Sequence, residues 1–170
     1  AVTLPFTFEV DIPPFNDFNG SFTQAISNPD MTGINTSATV AENTIPGGAA
    51  FAGVNIPVNY NIATDKFFKM DVWSPLPNTP VLLKLENSAT GVNTEIQATT
   101  TTASVWEELV FDFSFEPALS FDSLTIFMNF NVVDPNTQIY YWDNLDQFSP
   151  PPATLPFTFE TEVPTFLDFN

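Results

Sequence analysis

Carboxylates are the abundant ionisable side chains of this sequence and the first candidates for chemistry. The 170 residues include 20 Asp and Glu, three Lys, no Arg, and neither His nor Cys. A Ser-His-Asp arrangement and the usual zinc sites therefore cannot be built. Catalysis by carboxylates alone needs two of them with different pKa values at a fixed separation in a cleft. Glu107 and Glu108 are adjacent, so on a strand they point to opposite faces and cannot act as a pair. We expect no enzymatic activity.

Aromatic side chains offer a second kind of chemistry, because the C–H faces of sugars pack on flat rings flanked by amides and carboxylates. Side chains alternate between the two faces of a strand, so rings opposite each strand's apolar series should be exposed. For the strand near residue 140, we take Ile139, Tyr141 and Leu145 as core-facing. This criterion predicts a binding surface that contains Trp73, Tyr140, Trp142, Phe127 and Asn129. Lys84 and Glu86 could add polar contacts. Alternatively, a loop or a neighbouring domain covers this face and the rings only stiffen the sheet.

The charge balance excludes two classes of partner. The formal net charge is −17 at pH 7, so the chain would repel the phosphates of nucleic acids and the surfaces of anionic membranes. No apolar run approaches the roughly 20 residues of a membrane-spanning helix. We expect no nucleic-acid partner and no membrane insertion.

The apolar residues recur at every second position in short runs, separated by Pro, Asn, Asp and Gly. This alternation predicts strands with one buried face. The clearest core-facing series are Phe6, Phe8 and Val10; Phe68, Met70 and Val72; and Val81, Leu83 and Leu85. Further strands are predicted near 20–27, 36–41, 50–56, 94–100, 105–113, 124–130 and 138–145. About ten strands without crossover helices predict an all-β fold, an antiparallel two-sheet β-sandwich of the jelly-roll type.

The opening of the chain occurs twice. The segment 3–19 returns 151 residues later as 154–170, with 12 of 17 positions identical. An offset of that size corresponds to one globular domain. We therefore predict a β-sandwich repeat over 1–149, a Pro-rich linker at 150–153, and the first-strand region of the next tandem repeat at 154–170. A polyproline linker is stiff and would hold neighbouring domains apart.

Several motifs together resemble a known group of modules. They are NPDxTGIN at 28–35, KFFKMDVWSP at 66–75, PVLLKLEN at 80–87, WEELVFDFS at 106–114 and YYWDNL at 140–145. In this order they resemble carbohydrate-binding jelly rolls of polysaccharide hydrolases, glycan-binding lipoproteins and large surface proteins of gliding, polysaccharide-degrading bacteria. The resemblance implies an extracellular, cell-surface location and a polysaccharide or surface glycan as partner.

The resemblance also implies specific site residues. Similar modules often hold a structural calcium ion between a Glu on the first strand and an Asp on the last, which here correspond to Glu9 and Asp143. Asn28 and Asp30 could add the further oxygen ligands that calcium requires. The alternative is that Glu9 and Asp143 are ordinary surface acids. In similar modules the position of Phe51 often carries Trp, which would be a sugar platform. Phe51 departs from that pattern and lacks the broad indole face and its N–H, but its ring can still stack on a sugar.

Three functions remain open from the sequence. The main prediction is a non-catalytic repeat of a surface adhesin that contacts glycans multivalently, because near-identical tandem copies add avidity. The first alternative is a carbohydrate-binding module of a polysaccharide-degrading enzyme. The second is a structural stalk or filament, in which residues 154–170 could add as a strand to a neighbouring repeat's sheet.

Overall fold

The computed structural model describes residues 3–150, which form ten antiparallel strands in two sheets of five. The strands are β1 (Asn16–Phe18), β2 (Phe22–Ser27), β3 (Thr39–Ile45), β4 (Gly53–Asn61), β5 (Phe67–Trp73), β6 (Pro80–Glu86), β7 (Asn93–Thr99), β8 (Trp106–Asp112), β9 (Ser120–Met128) and β10 (Gln138–Phe148). The front sheet has the order β1-β4-β9-β6-β7, and the back sheet has the order β2-β3-β10-β5-β8. The predicted jelly-roll sandwich is confirmed.

The core lies between the sheets and follows the two-residue alternation of the sequence. Each sheet directs one side of its strands inward, and the inner positions are fully buried. On β5 and β6 these are the predicted residues Phe68, Met70, Val72, Val81, Leu83 and Leu85. Because these strands are regular, local alternation was enough to assign their faces.

The opening segment differs from its prediction. Phe6 and Phe8 are buried in the core, but only Phe6 makes a β-bridge, to Leu145. Val10 is 88% exposed, so it does not continue a core-facing series. The first strand of the sandwich is instead the short β1, which the alternation did not reveal because it spans three residues.

A bulge in β10 changes which of its residues face the core. The pairing of β10 with β5 shifts between Asp143 and Asp146, and Asn144 has a positive φ of 52°. An irregularity of this kind reverses the alternation of side chains. As a result Tyr140, Trp142 and Leu145 all enter the core, although Leu145 is an odd number of positions away from both.

No segment within residues 3–150 forms a helix that could span a bilayer. The last strand, β10, ends at Phe148. Most of the predicted linker and all of the second copy, residues 154–170, lie outside the described residues.

Candidate functional site

Four phenylalanine rings form a continuous cluster on the outer side of the front sheet. Phe127 on β9 contacts Phe18 on β1 and Phe130 just after β9, each with its ring centre 5.4 Å away. Phe51, which precedes β4, packs edge-to-face on Phe130 at 5.7 Å. Phe51 is 50% exposed and the other three rings are partly exposed. We call these four residues the phenyl platform.

Gly53 allows the platform to form. It is paired with Phe18 across β1 and β4, and a Cβ atom at this position would lie 2.5 Å from the carbonyl oxygen of Ile126 and 2.9 Å from Cζ of Phe18. The rings of Phe18 and Phe127 therefore close over a backbone that carries no side chain. The absence of a side chain at residue 53 is a requirement of close packing here.

Polar side chains continue the same outer surface along the strands. The Lys84 ammonium lies 2.8 Å from Glu86 Oε1. The Asn55 amide donates to the Thr125 hydroxyl at 2.8 Å and to Glu86 at 3.4 Å, and the Thr125 hydroxyl donates to Glu86. Partial burial alone would raise the pKa of Glu86, but hydrogen bonds from Lys84 and Thr125 outweigh it and hold that pKa below its usual range. Glu86 is thus a charged acceptor at neutral pH.

Beyond Glu86 the surface deepens into a hollow of about 320 Å³. It is lined by Asn55, Glu86, Asn87, Ser88, Gly91, Val92, Asn93 and Ser123. The front surface therefore combines an aromatic platform at one end with hydrogen-bonding amides, hydroxyls and a carboxylate at the other. Flat apolar rings beside oriented polar groups are the requirements for holding a sugar.

The predicted platform residues on β10 are not available to a ligand. Tyr140 and Trp142 are 0% exposed and belong to the core, so the prediction that they face outward is wrong. The prediction took Ile139, Tyr141 and Leu145 as core-facing, but Ile139 is 41% exposed and Tyr141 is partly exposed. Leu145 does enter the core, because the bulge at Asn144 shifts the register beyond Asp143. Trp142 instead packs against Phe8, with ring centres 4.9 Å apart. Asn129 is also buried, just beyond the end of β9, and cannot contact a ligand from the outer surface.

Trp73 lies on the outer side of the back sheet, as its alternation predicted, but a loop covers it. Its indole Nε1 donates to Asp30 Oδ2 at 3.1 Å, and its ring lies 5.2 Å from that of Tyr141. Next to it, the indole of Trp106 donates to the backbone oxygen of Asp30 at 2.7 Å. The loop that contains Asp30 therefore holds two tryptophans against the sheet, which agrees with the alternative interpretation that a loop covers this face.

Two carboxylates are buried beneath the same loop. Asp143 on β10 is paired with Asp71 on β5, and the Asn35 amide donates to Asp143 Oδ2 at 2.9 Å and to Asp71 Oδ2 at 3.4 Å. Asp143 is 0% exposed, and its Oδ1 has no hydrogen-bond partner among the described residues. Burial raises the pKa of both carboxyls, because a buried charge loses its hydration.

The four predicted calcium ligands do not converge as a set. Glu9 is exposed and accepts from the Thr39 amide at 3.0 Å. Asn28 donates to Asn35 and accepts from the backbone of Asp30, whose own carboxylate faces Trp73 and Thr32. Within residues 3–150 no group of three or more acidic side chains could hold a metal ion. Asp143 is the predicted ligand that retains an unpaired buried oxygen.

An open cleft of about 500 Å³ lies beside these acids on the back sheet. Its walls include Lys69, Asp71, Glu108, Asn144 and Asp146. Lys69 lies 3.9 Å from Glu108, and its ammonium is 5.9 Å from the centre of the Phe148 ring. Among the described residues, the cleft lining contains three carboxylates and one ammonium group and includes no aromatic side chain.

Sequence reasoning found half of the phenyl platform and missed the rest. Phe51 and Phe127 were predicted, whereas Phe18 and Phe130 were not, nor were Asn55 and Thr125. Phe18 lies on a strand too short for alternation to reveal. The DFN triplet that contains Phe18 recurs at 168–170, which was the one sequence signal pointing to it.

Comparisons with solved structures place the fold. The match to an exo-β-agarase covers 87% of this chain and 25% of the agarase chain, with a TM-score of 0.64 and 11% identity. The family 11 carbohydrate-binding module of a cellulosomal cellulase from Clostridium thermocellum matches 85% of this chain and 92% of its own length, at a TM-score of 0.54 and 14% identity. The CBM22-1 xylan-binding domain of a Paenibacillus barcinonensis protein matches 86% of this chain and 91% of its own length, with a TM-score of 0.51 and 12% identity.

No protein-family description matches the sequence, and no curated protein is similar to it. The identities to the structural neighbours are too low to show more than architecture. The chain has the jelly-roll fold that carbohydrate-binding modules adopt.

Proposed function

We propose that this chain is a non-catalytic carbohydrate-binding module that holds a polysaccharide on the outer surface of its front sheet. The observation that carries the proposal is the phenyl platform, Phe18, Phe51, Phe127 and Phe130, which continues into the network of Asn55, Lys84, Glu86 and Thr125. Exposed aromatic surface is costly in water unless something packs on it. Polysaccharides supply both the apolar faces and the hydroxyls that this surface matches.

The structural neighbours support a carbohydrate-binding module better than an adhesin repeat, because several of them are themselves carbohydrate-binding modules. One of them is described as a xylan-binding domain. A module of this kind acts where polysaccharides are found, so the proposal includes an extracellular location.

The adhesin prediction remains as a second proposal, supported by the repeated opening segment. A platform of phenyl rings lacks the broad indole face and the N–H donor of tryptophan, so a single site is expected to bind weakly. Tandem copies would compensate by avidity without any new contact. A protein with two repeats should then bind an immobilised glycan more tightly than one repeat.

The experiment that tests the site is affinity electrophoresis and calorimetry against xylan, mixed-linkage β-glucan, agarose and other polysaccharides. For a polysaccharide that is retained, Phe127→Ala should weaken binding by about 1–2 kcal/mol, or roughly 5- to 30-fold in Kd, because one ring of the platform is lost. Phe22→Ala is the matched control, since Phe22 is 55% exposed on the back sheet. Equal losses for both variants would contradict the front-sheet site, and silence across all polysaccharides would contradict the function.

We also propose that Asp143 binds calcium in a structural role. The unpaired and buried Oδ1 of Asp143 supports this, as does the nearby carboxylate of Asp71, because calcium prefers hard oxygen ligands. The ion would neutralise two adjacent buried charges beneath the loop that covers Trp73. Glu9, Asn28 and Asp30 would need to leave their present hydrogen bonds to join the shell.

A further inference from the structure

The opening segment, residues 3–9, fills a slot in the core. Phe6 and Phe8 are 1% and 3% exposed and pack within the sandwich. The ring of Phe8 also lies 6.1 Å from that of Phe15. The slot therefore holds two aromatic side chains spaced two residues apart.

Few backbone contacts hold the opening segment in place. Phe6 donates to the Leu145 oxygen at 2.9 Å and accepts from the Leu145 amide at 3.2 Å. Glu9 accepts from the Thr39 amide. In the connection that follows, Val10 and Ile12 are exposed, whereas Pro13 is buried and Phe15 packs against the core. The segment is therefore held mainly by its buried side chains and by one β-bridge, and it belongs to no continuous strand of either sheet.

The same seven residues, Thr-Leu-Pro-Phe-Thr-Phe-Glu, occur again at 154–160. Because the two copies are identical, every side chain that the slot recognises is present in both. We propose that the slot filled by residues 3–9 also accepts residues 154–160 of a second copy of this chain, so that copies are linked by segment exchange. Exchange of an identical element is a low-cost route to association.

The short, proline-rich stretch between β10 and the repeated segment is the reason to expect a second copy as the partner. Phe6 pairs antiparallel with Leu145. To make the same bridge within its own domain, residue 157 would have to turn back through 149–153, a five-residue loop with three consecutive prolines. Prolines in succession favour an extended polyproline conformation over a tight reversal. The proline run therefore disfavours the hairpin that entry into its own domain would require, which favours a slot on another copy.

This proposal is independent of carbohydrate binding and differs from strand addition at a sheet edge, since the second copy would replace a core element. In the unmodified chain the first copy has the advantage, because only residues 10–15 separate it from β1 and its loop is short. Substitutions that weaken the binding of residues 3–9 to the slot should therefore allow residues 154–160 of another chain to enter it.

The test uses the full chain with Phe6→Leu/Phe8→Leu, which keeps the slot apolar but favours the intact second copy. We expect dimers whose fraction rises with protein concentration in analytical ultracentrifugation, and a Tm that rises with concentration. Adding Phe157→Leu/Phe159→Leu should restore a monomer with a lower Tm. Phe157→Leu/Phe159→Leu alone is the control and should behave as the unmodified chain does.

Two results would overturn the proposal. One is a monomeric Phe6→Leu/Phe8→Leu chain with the same Tm as the fourfold variant, which would mean that the second copy does not enter any slot. The other is a monomer with a Tm above that of the fourfold variant and independent of concentration, which would mean that the second copy enters its own domain. The same comparison is repeated with Phe6→Ala/Phe8→Ala, with and without Phe157→Ala/Phe159→Ala, because alanine leaves a larger cavity in the slot than leucine does.

Discussion

Replacement of Asp143 by Asn should change stability in opposite directions with and without calcium. Asp143 is fully buried, with Asn35 on one carboxylate oxygen and no partner on the other among the described residues. Its register partner is the buried Asp71. An amide keeps the shape and the acceptor for Asn35, removes the charge, and offers Asp71 a donor.

The magnitude follows from the unpaired oxygen. A buried polar atom without a partner costs about 1–3 kcal/mol, and more when it is charged. Burial also raises the pKa of Asp143, which means that the folded state favours the neutral carboxyl. At neutral pH the charged carboxylate therefore lowers the stability of the folded state, in the same direction as the unpaired oxygen. Without calcium, Asp143→Asn should therefore stabilise the domain by roughly 1–2 kcal/mol. At about 2–4 °C per kcal/mol for a domain of this size, Tm should rise by roughly 2–8 °C.

With calcium the order should reverse. An ion that binds the folded state at a hundred times its Kd adds about 2.7 kcal/mol. Unmodified protein should gain that stabilisation, whereas Asp143→Asn should lose most of it because a carboxylate ligand has gone.

The assay is thermal unfolding of both proteins in chelator and in excess calcium, with Asp11→Asn as the control for net charge, since Asp11 is exposed. If calcium leaves the Tm of the unmodified protein unchanged, the calcium proposal is wrong. If Asp143→Asn lowers Tm in chelator, the argument from the unpaired buried oxygen is wrong.

Two further substitutions separate the core from the surface. Trp142→Ala should cost about 3–5 kcal/mol in denaturant unfolding because it empties a core position between Phe8 and Phe15; a loss of sugar binding with unchanged stability would contradict this assignment. Gly53→Ala should cost about 1–3 kcal/mol by urea unfolding and weaken polysaccharide retention, because its Cβ would meet the Ile126 oxygen and the Phe18 ring. An unchanged Kd for Gly53→Ala would show that the spacing of the platform does not matter for binding.

The inner positions of regular strands could be predicted because the alternation there is a local property. Phe68, Met70 and Val72 needed no knowledge of the rest of the chain. The same reasoning failed for Tyr140 and Trp142. Ile139 and Tyr141 were taken as inner residues although they are at least partly exposed. Leu145 matched them in alternation only because Asn144, in a left-handed conformation, shifts the register of β10 between them, and Asn tolerates that conformation without demanding it.

The candidate site depended on pairings that are not local. Phe18 and Phe127 lie 109 positions apart in the sequence and meet because β1 and β9 flank β4 in the front sheet. Resemblance pointed to Phe51 and alternation to Phe127, but neither indicated that Phe18 and Phe130 would join them.

By itself the sequence determined the sandwich architecture, the approximate number of strands and the duplicated opening segment. These depend on the periodicity of apolar residues and on sequence identity, which the chain carries before it folds. Only the tertiary structure decided which aromatic residues face solvent, which acids are buried together and what the opening segment contacts. Each of these depends on a register or a bulge, where a shift of one residue exchanges the inner and outer faces of a strand.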